Sequence, residues 1–313
     1  MSKKSWKEHL LSSGLPLEQS VIQVFQGLGI DKPKEYKYER INENGIPTIF
    51  SIDVHATHMH LEHNLWLEIF CECKYRHDGT RWIFTPDEFG RWPRPKFRDT
   101  FMVMDQITGR RSINIDKLDS FSRKYDLCGK GIEIFENDAN PKTIEQCIQQ
   151  LSYASIEQAL DALIHQVDDL LGTPTPIFVI VPIIVTTAEL WRLNSGVTVE
   201  DIRRANELYE VAEQRDIMII YQEPDNKRSQ DTLTKFNKSL SDEQKVKIEN
   251  KLKGTKWRGY HLFATTFSSK YPSLFVTINY KHFSSAMENL MSFFENPALI
   301  LEGTPLRKST LDK

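Results

Sequence analysis

A chain of 313 residues, 40% hydrophobic and 11% aromatic, carries enough apolar side chains for a sizeable core in one large domain or two. Its formal charge of −3 excludes a globally basic surface, so any nucleic-acid contact must be a local patch. The four cysteines do not suggest a secreted disulfide framework, no apolar run is long enough to span a bilayer, and residues 1–8 lack the core of a signal peptide; a cytoplasmic protein with no membrane contact is expected.

Pro16 suits a first helical position and opens a helix with Leu17, Val21, Val24, Phe25 and Leu28 at helical spacing, ended by Gly27 and Gly29. Glu18 in its first turn either favours the helix dipole alone or faces a site built further along. Residues 36–40 and 46–56 read as strands, and the Asn44-Gly45 pair between them marks a hairpin. In the second strand Phe50, Ile52 and Val54 oppose Ile49, Ser51, Asp53 and His55. Residues 65–74 then alternate strictly, with Leu65, Leu67, Ile69, Cys71 and Cys73 on one face and Trp66, Glu68, Phe70, Glu72 and Lys74 on the other. That is the pattern of a half-buried strand. Pairing of these two strands brings Asp53, Glu72 and Lys74 to one end of a common face. Two carboxylates and an ammonium there suit a hard divalent cation and phosphodiester chemistry. His55, His58, His60 and His63 crowd the connection; a zinc site would want closed tetrahedral geometry and usually cysteines, so a polar hairpin tip is the plainer reading.

Residues 82–84 read as a further short strand. Residues 74–111 hold nine Lys/Arg against five Asp/Glu, interleaved with aromatic residues and interrupted by Pro93 and Pro95. Arg76, Arg81, Arg91, Trp92, Arg94, Lys96 and Arg98 are candidate contacts to phosphates and bases; the alternative is a structural insertion with a solvated basic face. Residues 144–171 form a long helix or two, whose Gln146, Gln149, Gln150, Tyr153 and Gln158 add polar groups within reach of the site. Residues 177–185 are apolar throughout, as in an interior strand. A helix over 198–215, opened by Thr198 and Asp201, and a strand over 217–221 imply a parallel crossover. After a polar break at 223–231 come a helix over 241–253 capped by Ser241 and Gln244, strands over 260–267 and 274–280, and a helix over 284–294. Residues 227–258 are the second locally basic stretch, with ten Lys/Arg against four Asp/Glu.

Residues 15–84 resemble the PD-(D/E)xK, or restriction-endonuclease-like, nuclease superfamily: a helix, a meander carrying Asp53, then a strand carrying Glu72-Cys73-Lys74. Ile52 stands where the family name has proline. The resemblance implies an α/β fold with a mixed central sheet flanked by helices. Residues 1–225 would be the nuclease core, with an insertion at about 85–140, and residues 226–313 a C-terminal α+β extension. It also implies a magnesium-dependent endonuclease that hydrolyses DNA, with manganese able to substitute, in restriction or defence against foreign DNA. Asp53, Glu72 and the Cys73 carbonyl would hold the metal, Lys74 would position the attacking water, and Glu18 would assist. A catalytically silent nucleic-acid- or protein-binding module of the same fold, and an RNA or repair nuclease, are the alternatives. The sequence has no G-x-x-x-x-G-K-[ST] loop, so translocation would fall to a separate motor or defence-system protein; a homo-oligomer stays open.

Overall fold

The computed structural model of the chain describes residues 5–41, 46–62, 64–87, 102–104, 111–113, 117, 124–136, 138–168, 176–252, 259–296 and 300–302. A short helix α1 (Trp6–Ser12) precedes α2 (Leu15–Gly27), where Pro16 lies in the first turn behind Gly14. Three strands follow in an antiparallel meander: β1 (Asp31–Ile41), β2 (Pro47–His60) and β3 (Leu65–Lys74). Next come β4 (Arg81–Pro86), β5 (Met102–Met104), β6 (Arg111–Ile113), β7 (Asp126–Phe135) and β8 (Asp138–Asn140). The long helix α3 (Lys142–Val167) leads into β9 (Ile177–Thr186), which lies parallel to β3 along its whole length.

The remaining elements are β10 (Glu189–Leu193), α4 (Val199–Arg204), β11 (Ala212–Arg215), β12 (Ile217–Tyr221), α5 (Asn226–Ser239), α6 (Asp242–Leu252), α7 (Tyr260–Lys270), β13 (Leu274–Asn279), α8 (Phe283–Phe294) and β14 (Ile300–Glu302). Among the described residues, twelve strands form one mixed sheet in the order β1-β2-β3-β9-β13-β12-β7-β4-β10-β11, with β5 beside β9 and β8 beside β7. β6 and β14 pair separately.

Both faces of the sheet are covered. Leu17, Val21 and Phe25 of α2 join Phe283, Leu290 and Phe294 of α8 against one face. α3 lies on the other, with Phe236, Ile248, Phe263 and Phe267 from α5, α6 and α7. Phe25 and Phe283, both fully buried, meet edge to face at 5.5 Å, the arrangement the ring quadrupole favours. The sheet centre is therefore apolar on both sides, and every residue of β9 is buried. Pro182 sits inside β9, yet its missing N–H is tolerated. On the side away from β3, β5 pairs with residues 178–180 and β13 with residues 183–186, so the proline falls at the change of partner.

Several expectations change. β3 is not half-buried: α2 and α3 cover both faces, so even Glu68 and Glu72 are buried. β2 runs on to His60, because its ladder with β3 continues to Leu65; His58 and His60 lie in the strand and not in a hairpin tip. Of the expected 198–215 helix only residues 199–204 are α-helical, with a single 3-10 turn at Leu208–Glu210. The Thr198–Asp201 capping box forms, but the chain turns extended at Ala205 and returns as β11 against β10. β12 is not the parallel neighbour of β9: β13 stands between them and pairs antiparallel with β12. The polar break at 223–231 already contains the start of α5, capped by Asp225. Residues 260–267, expected as a strand, belong to α7; Phe263, Ala264, Phe267 and Ser268 share its buried face. The segment after residue 226 thus contributes α5, α6 and α7 to one sheet face, α8 to the other, and β13 to the middle of the sheet.

Candidate active site

The site forms where β2 parts from β3. Lys34 of β1 lies opposite His55, whereas Tyr36 lies opposite Ile52, so three steps along β2 match two along β1. That extra residue is a β-bulge, which bends the strand and re-aims its side chains. As a result Phe50, Ile52 and His55 all face α3, while Val54 faces α2; the strict alternation expected through Ile52 and Val54 is broken. β2 pairs with β3 only from Val54–Cys71 to His60–Leu65. Beyond Val54 it keeps β1 alone, and Glu72-Cys73-Lys74 is left with β9 on one side and a gap on the other.

Asp53 stands in that gap. Its Oδ2 accepts a hydrogen bond from the Cys73 backbone N–H at 2.6 Å, replacing the strand partner that β2 no longer supplies. Glu72 points to the α3 side and is only 1% exposed. Its Oε1 accepts from Lys74 Nζ at 2.5 Å, and its Oε2 is buried with no hydrogen-bond partner. A buried oxygen without a donor is costly, and this one belongs to a carboxylate at the site. Burial pushes the Glu72 carboxyl up to about 7, against the pull of Lys74 and with help from Asp53 and Glu18. Burial likewise raises Asp53, with Lys74 and the Cys73 N–H opposing. For Lys74 burial works against the charge, but Glu72, Cys147 and Asp53 together more than offset it and the pKa moves up.

Glu18 shares this field. It is half-buried in the first turn of α2, and its pKa is raised by burial first and by Asp53 second, with Lys74 opposing. Glu35 on β1, which the sequence reading passed over, also acts on both Asp53 and Glu18. It is exposed, and its own pKa is lowered by a hydrogen bond from Ser51 and by Lys37 at 3.2 Å. No motif marks Glu35; only the β1–β2 register puts it opposite the bulge. Two threonines at the end of β9 were also missed. Thr186 Oγ1 donates to the Lys74 carbonyl at 3.0 Å, and Thr187 Oγ1 accepts from Arg76 N–H at 2.6 Å, fixing the chain just past the Glu-x-Lys run.

From α3 the residue facing the site is Cys147, whose thiol burial pushes up to about 12 while Lys74 opposes. Gln146 and Gln149 are exposed, and Gln150 accepts from the Tyr38 hydroxyl through its backbone carbonyl. Arg76 is held by Glu133, which also accepts from Trp82 Nε1 at 2.8 Å and from Thr143 Oγ1 at 3.2 Å. Arg81 pairs with Glu189 at 3.5 Å on an exposed edge. Arg91, Trp92, Arg94, Lys96 and Arg98 lie outside the described residues. His55 is buried against Glu68, which accepts its Nε2 contact at 2.7 Å and the Thr57 hydroxyl at 2.8 Å. Among the described residues no three His, Cys, Asp or Glu side chains lie close enough together to hold a metal ion, and no helix is long and apolar enough to cross a membrane. No family model, curated protein or solved structure matches the chain.

Proposed function

We propose that this chain is a divalent-metal-dependent nuclease that hydrolyses DNA phosphodiester bonds at the gap between β2 and β3. The observation that carries this is the parting of those strands at Asp53, which leaves the Glu72 Oε2 buried and unpartnered beside Lys74. The order helix, three-strand meander, helix, strand, with β1, β2, β3 and β9 as successive neighbours, supports a restriction-endonuclease-like core.

The donor set fits magnesium. That ion takes one or two carboxylates and keeps several waters, so it needs no ready all-protein cage. Asp53 and Glu72 would hold it. The Cys73 carbonyl is available as a third oxygen, because the N–H and C=O of one extended residue point toward the same neighbour and the Cys73 N–H points to Asp53. Bound there, magnesium would polarise the phosphate and lower the pKa of a coordinated water.

The chain's own residues supply the rest. Asp53 fixes the open edge of β3 through Cys73 N–H. Lys74, kept protonated beside Glu72, presents a compact cation to the attacking water and to the charge that gathers on the phosphorane. α2 and α3 limit water access from the two sides.

Supercoiled and linear DNA incubated with the protein in magnesium, in manganese and in chelator tests this reading. Cleavage should require the metal and vanish in Asp53→Asn, Glu72→Gln and Lys74→Met, each folded as judged by circular dichroism. Undiminished cutting by Glu72→Gln, or in chelator, would overturn it. DNA binding without any cutting under all these conditions would point instead to a silent binding module.

A further inference from the structure

Residues 36–41 of β1 and 47–52 of β2 extend past the end of β3 as a two-stranded arm beside the gap. On the arm face turned to α3, aromatic rings follow one another outward from the site. Tyr36 meets His55 and Phe70 edge-on at 5.1 Å, Tyr36 stacks toward Tyr38 at 6.3 Å, and Tyr38 toward Phe50 at 6.0 Å. The Tyr38 hydroxyl donates to the Gln150 carbonyl at 3.3 Å and ties the arm to α3.

Arg40 closes the outer end of this run. Its guanidinium carbon lies 4.3 Å from the ring centre of Phe50 and 4.1 Å from that of Tyr153 on α3. The cation thus lies over two aromatic rings, a favourable contact that restrains where the guanidinium sits. Among the described residues no carboxylate pairs with Arg40, and its Nε has no hydrogen-bond partner. Arg76, Arg81, Arg203 and Arg215 each have an acid at hand. A half-buried guanidinium that folding holds in place, yet leaves without an acceptor, is prepared for an anion from outside the chain.

Its position says which anion. Tyr36 faces Ile52, the neighbour of Asp53, and Arg40 stands four residues further out on the same face. At roughly 3.3 Å per residue that is about 13 Å, or about four base steps of duplex DNA at ~3.4 Å each.

We propose that Arg40 binds a backbone phosphate of DNA flanking the scissile bond, its planar fork held against Phe50 and Tyr153. This rests on the nuclease reading of Asp53 and Glu72. The contact positions the strand without touching the reacting atoms, and arginine suits it better than lysine because the planar fork can engage two phosphate oxygens.

The test is binding of a fluorescein-labelled DNA duplex by the full chain in calcium over a range of salt, together with magnesium-dependent cleavage kinetics. Arg40→Gln should weaken binding about tenfold and flatten the salt dependence by about one contact. It should raise KM while changing kcat by less than about twofold. Lys37→Gln, an exposed change on the opposite face of the arm, should change neither by more than about twofold. If Arg40→Gln does not fold, Arg40→Met carries the same test, since it removes the charge and the fork while keeping an apolar stem beside Phe50 and Tyr153. Unchanged affinity and salt slope in a folded Arg40 variant of a protein that binds and cuts would overturn the phosphate contact alone. A wild-type chain that neither binds nor cuts DNA would overturn the nuclease reading and this inference with it.

Discussion

The buried Glu72 carboxyl should make the metal-free protein lose stability as pH rises. Its ordinary value is 4.5 and burial pushes it up to about 7, so the folded chain holds the proton more tightly than the unfolded one. Below about 4.5 both states are protonated and above about 7 both are ionised; across that window each step up in pH removes stability. A shift of about 2.5 units at ~1.36 kcal/mol each corresponds to a loss of about 3 kcal/mol between pH 4.5 and pH 8. The side chain is 1% exposed, so solvent screening takes little from that figure. Asp53 and Glu18, also raised by burial, add to the slope with the same sign. The assay is urea unfolding in chelator at several pH values, comparing wild type with Glu72→Gln. The variant cannot ionise there, so its pH slope should be shallower by about 3 kcal/mol in total, whatever it costs to leave Lys74 without its partner. Taking the difference of the two slopes cancels groups that titrate alike in both proteins. Adding magnesium at pH 8 should restore stability to the wild type and much less to the variant, because a bound cation favours the ionised carboxylate. Equal pH slopes in the two proteins would refute the reasoning.

Two further outcomes test the scaffold. Gly131→Ala on β7 should cost about 1–3 kcal/mol in chemical denaturation, because its Cβ would fall 2.4 Å from the Phe84 ring, in a core with no room to give. Glu133→Gln should destabilise by about 2–3 kcal/mol, since it strips the charge from an acceptor shared by Arg76, Trp82 and Thr143, and the loss should appear in the unfolding midpoint without chelator or magnesium mattering.

The amino-acid pattern exposed β3 well. Leu65, Leu67, Ile69, Cys71 and Cys73 do lie together against α2 and α8, and Glu72 and Lys74 do share the face turned to α3. What alternation could not reveal was the bulge before Val54, because an added residue changes partner register without changing local hydrophobicity. Burial of Glu72 was equally hidden: a strand that is polar on alternate positions ordinarily meets water on that face, and only α3 packing over it excludes the water. For α7, expected as a strand, the four-residue spacing of Phe263 and Phe267 was the signal that held. The Thr198–Asp201 cap marked the start of α4 correctly, but nothing in the following residues announced so early a stop. Arg40 carried no motif at all. Its clamp joins residues more than a hundred positions apart, which only the folded chain brings together.

The place of β13 governs how such a chain can be made. One part of the sheet, β1-β2-β3-β9, is complete once residue 186 has left the ribosome, and another, β12-β7-β4-β10-β11, by residue 221. The strand joining them spans only Leu274–Asn279, so the apolar residues 183–186 of β9 wait for their second neighbour while roughly ninety more residues are added. At synthesis rates of about 5–20 residues per second that wait lasts about 5–20 seconds. During it, an open edge of Ile183, Ile184 and Val185 is available to any other nascent chain, and Pro182 marks only its near end. Chains released before residue 279 should therefore aggregate rather than fold as a shortened domain, which pelleting of stalled products of different lengths would reveal.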